Sequence, residues 1–337
     1  MSSTTLSFAT FNLSNLQLPG VAMYHGQSCN VEEYQKKIAW IAQSLTQMDA
    51  DVIGFQELWS PQCLSDVFNQ AGLCDQYQLL TQAPPGDFSA VAAAVRKSIV
   101  VTEHQWIKNL PDEVKLNKAP GNNTTLAPDY ELSVSMVRFS RAVLQLKIKP
   151  ILGPAITVFI THLKSRLPVS LDEAEFKSAA IKAHRHTLGA ALATLRRVVE
   201  ATGLRIMLNK VLLNAMPVVV LADLNDNPTS SAVALLTQQP VYRSLNPNHH
   251  SELALYSTAI LQSLRSLRDV HFTYLHQGQT ETLDHILVSE HFVEHSQRRK
   301  WVLQELKVLN DHLQQAIPHA SDHGIVWAVF VYSPITY

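Results

Sequence analysis

Seven polar residues stand where apolar runs begin or end: Asn12 after TLSFATF, Glu57 after VIGFQ, His162 after ITVFIT, Asp223 and Asn225 after PVVVLA, Asp284 before HILVS, and His323 in SDHG. Carboxylates, amides and imidazoles gathered at one edge of a sheet would form an oxygen-rich site, suited to Mg²⁺, Mn²⁺ or Ca²⁺ rather than zinc. The histidines could then contact phosphate oxygens or relay protons near neutral pH. Taken singly, each position has a plainer reading. Asp and Asn after strands commonly start turns or cap helices, and a lone histidine is more often a hydrogen-bonded structural group than a catalyst.

The runs that must position these residues alternate between strand and helix patterns. TTLSFATFNL reads as a strand, and VEEYQKKIAWIAQSLTQM as a helix with Tyr34, Ile38, Ile41 and Leu45 on one face. DVIGFQE is a short apolar strand, followed by a helix with Ser60 as N-cap, Pro61 at its first position and Gly72 as stop. SAVAAAVRK and ELSVSMVRFS read as strands around the loop KAPGNNTTLAPD, and RAVLQLKIK with AITVFITHLKS as a hairpin turning at Pro150 to Pro154. A long helix is expected from about Ser170 to Glu200, broken at Gly203 before a shorter one in LRIMLNKVLLNA. MPVVVLA has the length and β-branching of a strand buried on both faces. SELALYSTAILQSLRSL reads as helix, and DVHFTYL, ETLDHILVS, KWVLQELKVL and GIVWAVFVY as strands. Interleaving of this kind favours one α/β domain over sequential ones, because open α/β sheets collect their chemistry on loops at one sheet edge.

Composition narrows the setting. The 337 residues are 46% hydrophobic and 16% charged with a formal net charge of −1, as expected of a compact folded chain without a global positive field. Cys29, Cys63 and Cys74 are too few and too scattered for a zinc framework or a disulfide scaffold, and the default reading is three reduced thiols, with Cys63–Cys74 able to pair under oxidising conditions. The N-terminal segment lacks the basic and apolar regions of a signal peptide, and no window reaches the roughly eighteen apolar residues of a membrane span. The expected location is cytoplasmic, or outside the cell if a leader has been removed.

The strings TFNL, GFQE, THLKS, ADLND, LDHILVS and SDHG resemble, in this order, those of the endonuclease/exonuclease/phosphatase superfamily, whose members include deoxyribonuclease-I-like nucleases, inositol polyphosphate phosphatases and sphingomyelinases. The resemblance runs from Thr10 to Gly324. It implies a four-layered α/β sandwich of two mixed β-sheets flanked by helices, one domain over residues 1–337 with a helical elaboration at about 164–216. It further implies Glu57 as the principal metal carboxylate with Asn12 and Asp322 beside it, and Mg²⁺ as cofactor, with Mn²⁺ or Ca²⁺ as alternatives. Asp223 and Asn225 correspond to the pair that orients the attacking water and holds the phosphate. Asp284 corresponds to the partner of the last histidine, His323, and His162 to the other phosphate-contacting histidine. Arg141 falls where nucleases of the family often carry a phosphate-contacting arginine, with Arg138 a competing candidate.

Two departures stand out: Ala222 replaces the usual glycine before the aspartate, and His285 stands where many relatives have an aromatic residue. HLKS followed by Arg166 looks most like the nucleases, so hydrolysis of a DNA or RNA phosphodiester is the expected activity. A phosphatase or a phospholipid or sphingomyelin phosphodiesterase is the alternative, and a non-catalytic binding module a further one. Oligomeric state has no signature here.

Overall fold

The structure, a computed structural model, describes residues 4–82, 88–118, 132–238, 242, 253–266, 272–315 and 317–335. In chain order the elements are β1 (Thr5–Leu16), α1 (Val31–Met48), β2 (Val52–Leu58), α2 (Pro61–Gln70), β3 (Tyr77–Leu80), β4 (Ala90–Arg96) and β5 (Val100–Asn109). They continue with β6 (Leu116–Lys118), β7 (Leu132–Val134), β8 (Arg138–Lys149), β9 (Ile156–His162), α3 (Glu173–Lys177), α4 (Ala179–Lys182), α5 (Arg185–Leu212) and β10 (Val218–Asp223). Last come α6 (Ser231–Thr237), β11 (Leu255–Ser257), α7 (Thr258–Ser263), β12 (Tyr274–His276), β13 (Gln279–Glu281), β14 (Asp284–Ser289), β15 (Trp301–Leu309), α8 (Asp311–Gln315) and β16 (Ile325–Tyr332).

Two six-stranded sheets dominate, ordered β15-β16-β1-β2-β4-β3 and β11-β14-β10-β9-β8-β5. Both are mixed: β1–β2 and β9–β10 pair in parallel, whereas β1–β16 and β10–β14 are antiparallel. The outer face of the first sheet is covered by α1 and α2, which bring Tyr34, Ile38, Ile41, Leu45 and Val67 onto Phe11, Leu13 and Phe55. In the same way α5 and α6 cover the second sheet, with Leu204, Leu208 and Leu236 on Phe159, Val218 and Val220. Between the sheets lies a third apolar layer that includes Phe8, Val52, Val158, Ile160, Val219 and Leu221.

Local chemistry explains the element ends. In α1 the Asn30 side chain accepts the Glu33 amide at 2.9 Å while the Glu33 carboxylate accepts the Asn30 amide at 2.9 Å, a reciprocal cap that fixes the start. The helix stops at Asp49, whose φ of 48° is left-handed. Strand periodicity then decides which way the polar residues face. Leu6 and Phe8 of β1, Val158 and Ile160 of β9, Val219 and Leu221 of β10, and Ile286 and Val288 of β14 all point between the sheets. Stepping by two along each strand reaches Asn12, His162, Asp223 and Asp284, which therefore enter the same layer at one end of it.

Gly54 lies on this inner face of β2, where an added Cβ would sit 2.9 Å from Leu221 Cβ and 3.1 Å from both branches of Ile160. Gly54→Ala is expected to force the sheets apart and cost about 1–3 kcal/mol, read as a lower urea midpoint at unchanged slope. An unaltered midpoint would mean that the sheets yield freely at this contact.

Three expectations need correction. Gly203 does not break the long helix: α5 runs unbroken from Arg185 to Leu212, and Gly203 is needed inside it because a Cβ there would meet Leu110 Cδ2 at 2.4 Å. The expected long helix instead begins in pieces, with α3 and α4 ending before α5 starts. SELALYSTAILQSLRSL is not helical throughout, since Leu255–Ser257 pairs with β14 as an edge strand before α7 begins. Of DVHFTYL, residues 269–271 lie outside the described residues, and its end enters β12, which pairs with β13 and bridges through Tyr274 to His323. The loop KAPGNNTTLAPD lies, beyond Lys118, outside the described residues as well. All three cysteines are free.

Candidate active site

Asn12, His162, Asp223, Asn225, Asp284 and His323 are all buried, and hydrogen bonds across the gap between the sheets join them. From the first sheet, Asn12 Nδ2 donates to Asp223 Oδ2 at 2.9 Å. His323, just before β16, lies with its Nδ1 2.8 Å from Asp284 Oδ2 of the second sheet. His162 Nε2 is 3.2 Å from Asp223 Oδ2 and 3.9 Å from Glu57 Oε1. Glu57 reaches this position through a break in alternation. Its φ of 62° and the register shift between Phe55 and Leu58 turn the carboxylate away from the helical face. Asn15, itself at φ 58°, holds Glu57 by donating its amide to Oε2 at 2.9 Å.

Asp223 Oδ1 accepts the Asn225 amide at 2.9 Å, and Asn225 has the left-handed φ of 53° that ADLND needs to double back. One hydrogen of the Asn225 side-chain amide goes to the Leu163 carbonyl at 3.1 Å, which pins the side chain beside His162. Asp284 Oδ1 is buried without a hydrogen-bond partner among the described residues, as is His162 Nδ1. Arg141 projects from β8 to Ser89 Oγ at 3.3 Å and the Tyr24 hydroxyl at 3.4 Å, close enough for its charge to act on His162. Its competitor Arg138 is exposed and pairs in register with Asn109 at the strand end.

The charges are set by burial and by one another. Burial, then the nearby Asp284 carboxylate, lifts the Asp223 carboxyl to about 7. Burial opposes a charged His323, but the carboxylates of Asp284 and Asp223 outweigh it and hold this imidazole well above its ordinary range. His162 goes the other way: burial, followed by the cations Arg141 and Lys164 and by His323, keeps it neutral. Its 3.2 Å contact with Asp223 is accordingly a hydrogen bond of a neutral imidazole rather than an ion pair.

Sequence reading missed several members of this cluster. Lys37 comes off α1 beside the apolar stripe and donates to the Ser14 carbonyl; burial lowers its pKa while Asp322 and Glu57 pull it back up. Its position next to Ile38, on a face otherwise apolar, was the available signal. Ser321 donates to the Asn12 carbonyl at 2.7 Å and accepts the His323 amide at 3.0 Å, so SDHG is tied to TFNL by its serine. Thr273 Oγ1 accepts the amides of Leu283 and Asp284 at 2.9 and 3.1 Å, and nothing in the sequence marks it. His285 now has a physical role: its Nε2 lies 2.9 Å from the Asp226 carbonyl, on the face away from the site, steadying the loop after Asp223. Arg166 proves to be engaged, paired with Asp226 at 3.3 Å and with Glu281, so it is not a free phosphate-binding cation.

Whether these groups suit a divalent cation follows from their donors. Among the described residues, Asp223, Asp284 and His323 offer potential ligand atoms within 4.8 Å of one another. There the Asp284–His323 contact already holds a proton, which makes it a hydrogen-bonded dyad rather than a chelate. Glu57 Oε1 has only the long approach of His162, Asp322 is exposed, and Asn12 Oδ1 accepts one amide, from Ser14 at 2.8 Å. These are all-oxygen donors around a concentration of negative charge that also draws Lys37, and they fit a hard cation.

The endonuclease/exonuclease/phosphatase family model matches residues 9–323. A search of curated protein sequences finds no match. Among solved structures, truncated Caenorhabditis elegans TDP2 aligns at a TM-score of 0.56 and 13% identity, covering 97% of each chain. The human Nocturnin catalytic domain with bound sulfate gives 0.56 and 14%, over 98% of this chain and 95% of that one. The Bacteroides thetaiotaomicron mannosyl-6-phosphatase gives 0.54 and 16%, over 97% and 100%. At such identities the likeness is one of fold.

Proposed function

This chain belongs to the endonuclease/exonuclease/phosphatase family, and we propose that it hydrolyses phosphodiester bonds with a divalent cation, nucleic acid being its substrate class. One observation carries the hydrolytic reading: a buried carboxyl, Asp223, stands next to a buried His323–Asp284 dyad, the three supplied by opposite sheets. In this reading ionised Asp223 takes a proton from the attacking water, and Asn12 and Asn225 keep its carboxylate aimed. Protonated His323 donates to a phosphoryl oxygen, where charge accumulates in the transition state. Asp284 holds that imidazole in one orientation, and neutral His162 gives its single N–H to ionised Asp223 and steadies that carboxylate. Glu57, Asn12 and Asp322 would hold Mg²⁺ or a similar ion, which when bound neutralises charge on the phosphate.

The nucleic-acid class is supported by two cations near His162 with no ion-pair contact to a carboxylate among the described residues, Arg141 and Lys164. Burial, then Arg141 and Arg196, lowers the Lys164 ammonium to about 8, which leaves it mostly charged at neutral pH, and an arriving phosphate would favour the charged form further. A phospholipid headgroup ester is the second reading, favoured by the leucine-bearing basic surface on α5. The purified protein, assayed with Mg²⁺ and Mn²⁺ against DNA, RNA, phospholipids and bis-p-nitrophenyl phosphate, separates the classes. Turnover of none of them, with either metal, would overturn the hydrolytic reading.

Calorimetry with Mg²⁺ or Mn²⁺ is expected to show binding that Glu57→Gln weakens at least about tenfold, because the amide removes the formal charge from the principal donor. Equal affinities would remove Glu57 from the metal set.

A further inference from the structure

From Phe176 to Val199 the chain carries Lys177, Lys182, Arg185, Arg196 and Arg197 and no Asp or Glu, in a protein whose net charge is −1. Here α3 and α4 bury no residue. The far half of α5 buries Leu204, Met207, Leu208 and Leu212, whereas the near half buries little more than Gly189, Ala193 and Arg197. That narrow face presses on the loop after His162: Val169 donates its amide to the Gly189 carbonyl at 3.0 Å, and a Cβ on Gly189 would meet Val169 O at 2.4 Å. Another face carries a row of leucines at helical spacing, Leu188, Leu192 and Leu195, exposed by 42, 45 and 43%. Leu167 and Phe176 are exposed as well, by 74 and 50%, and the Lys182 ammonium lies 4.4 Å from the Phe176 ring.

We propose that this face of α5, with Phe176 and its basic rim, is a docking surface for a membrane containing anionic phospholipid, lying in the headgroup region with the leucines turned toward the acyl chains. The leucine stripe and the exposed Lys182 and Arg185 match such a surface in both of its parts, apolar and positive, whereas Lys177, Arg196 and Arg197 are paired with Glu173, Glu200 and Asp226. Lys182 and Arg185 are exposed and make no ion pair with a carboxylate among the described residues, so their charge is available to lipid phosphates. A second copy of this chain is a poor occupant, because a symmetric contact would set the two basic rims against each other. Single-stranded nucleic acid would find leucines where stacking platforms carry aromatic rings. No helix among the described residues is long and apolar enough to cross a membrane, so the contact is one of lying on the surface. The inference goes beyond the hydrolytic reading and is tested by binding alone.

The test is co-sedimentation of the whole protein with vesicles of phosphatidylcholine, alone or mixed with phosphatidylserine. The variants are Leu188→Gln/Leu192→Gln/Leu195→Gln and Lys182→Glu/Arg185→Glu, all at exposed positions, with circular dichroism to confirm folding. Wild type is expected to sediment with the anionic vesicles and less so at raised salt, and each variant to lose on the order of tenfold or more in partitioning. Wild type that ignores anionic vesicles, or a leucine variant that binds them equally well, overturns the proposal. So does dimerisation in sedimentation velocity that the leucine variant abolishes without vesicle binding, which would make a second copy the occupant. Retention of single-stranded DNA, lost in the charge-reversed variant while vesicles are ignored, would overturn it in favour of nucleic acid.

Discussion

Asp223→Asn is expected to lower kcat/KM on any phosphate ester the protein turns over by about 10²- to 10⁴-fold, the usual cost of losing a general base. The fold should survive because two opposing changes meet at this position. An amide offers one acceptor oxygen where Asp223 now serves both Asn12 Nδ2 and the Asn225 amide, and the unmatched contact costs about 1–3 kcal/mol. Against this, the folded state holds the Asp223 carboxyl at about 7, far above its unfolded value of 3.8, so its ionisation destabilises the protein increasingly as pH rises through that interval. Asparagine removes that penalty. The variant should therefore lag the wild type in melting temperature at pH 5 and approach or exceed it at pH 8. In the wild type, activity should climb with pH through a limb near neutrality, as the carboxylate forms. A cation held by Glu57 shifts this limb only downward, since positive charge favours the ionised form. Activity that survives Asp223→Asn within about threefold would rule out proton acceptance by Asp223.

His323→Ala should cost about 10²-fold or more, through loss of the protonated imidazole that contacts the phosphate. Asp284→Asn should cost less, on the order of tenfold, because Asp284 acts through the histidine. Its diagnostic readout is the alkaline limb of the pH profile. With Asp284 neutral, the carboxylate field that raises His323 is weakened, the imidazole loses its proton at lower pH, and the limb moves down with it. The double variant should be no slower than His323→Ala alone, since the two residues work as one unit. A full additional loss in the double variant, or an alkaline limb that stays in place, would give Asp284 a purely structural role.

Much of this site was legible because chemistry-bearing residues were written at strand ends, in the order TFNL, GFQE, THLKS, ADLND, LDHILVS and SDHG. What could not be read was direction. PVVVLAD and ITVFITH are buried on both faces, so no polar–apolar alternation shows which side of the strand meets the other sheet. Only pairing, with Asp223 beside both His162 and Asp284, reveals that these three share a face. Gly203 was misread for a similar reason: its role is close approach to Leu110, a contact distant in sequence, whereas local propensity treats a helical glycine as a breaker. Leu255–Ser257 has helix-forming neighbours and became a strand because β14 offered an open edge. Lys37 and Thr273 belong to the site only through folding that brings α1 and the segment before β12 against it.

The strand order also fixes when, during synthesis, this protein can first be active. β1 precedes β16 by most of this sequence, yet β16 is one of its two neighbours, with Thr5 opposite Val331, so its edge stays open until β16 has been translated. His323 and the Ser321 link to Asn12 arrive with that same closing strand. A nascent chain that stops short of His323 would display an unpaired edge on β1 and a site lacking its charged imidazole. Ribosome-bound intermediates should thus be catalytically silent and, with β1 exposed, clients for holdase chaperones until the final strand seals the sheet.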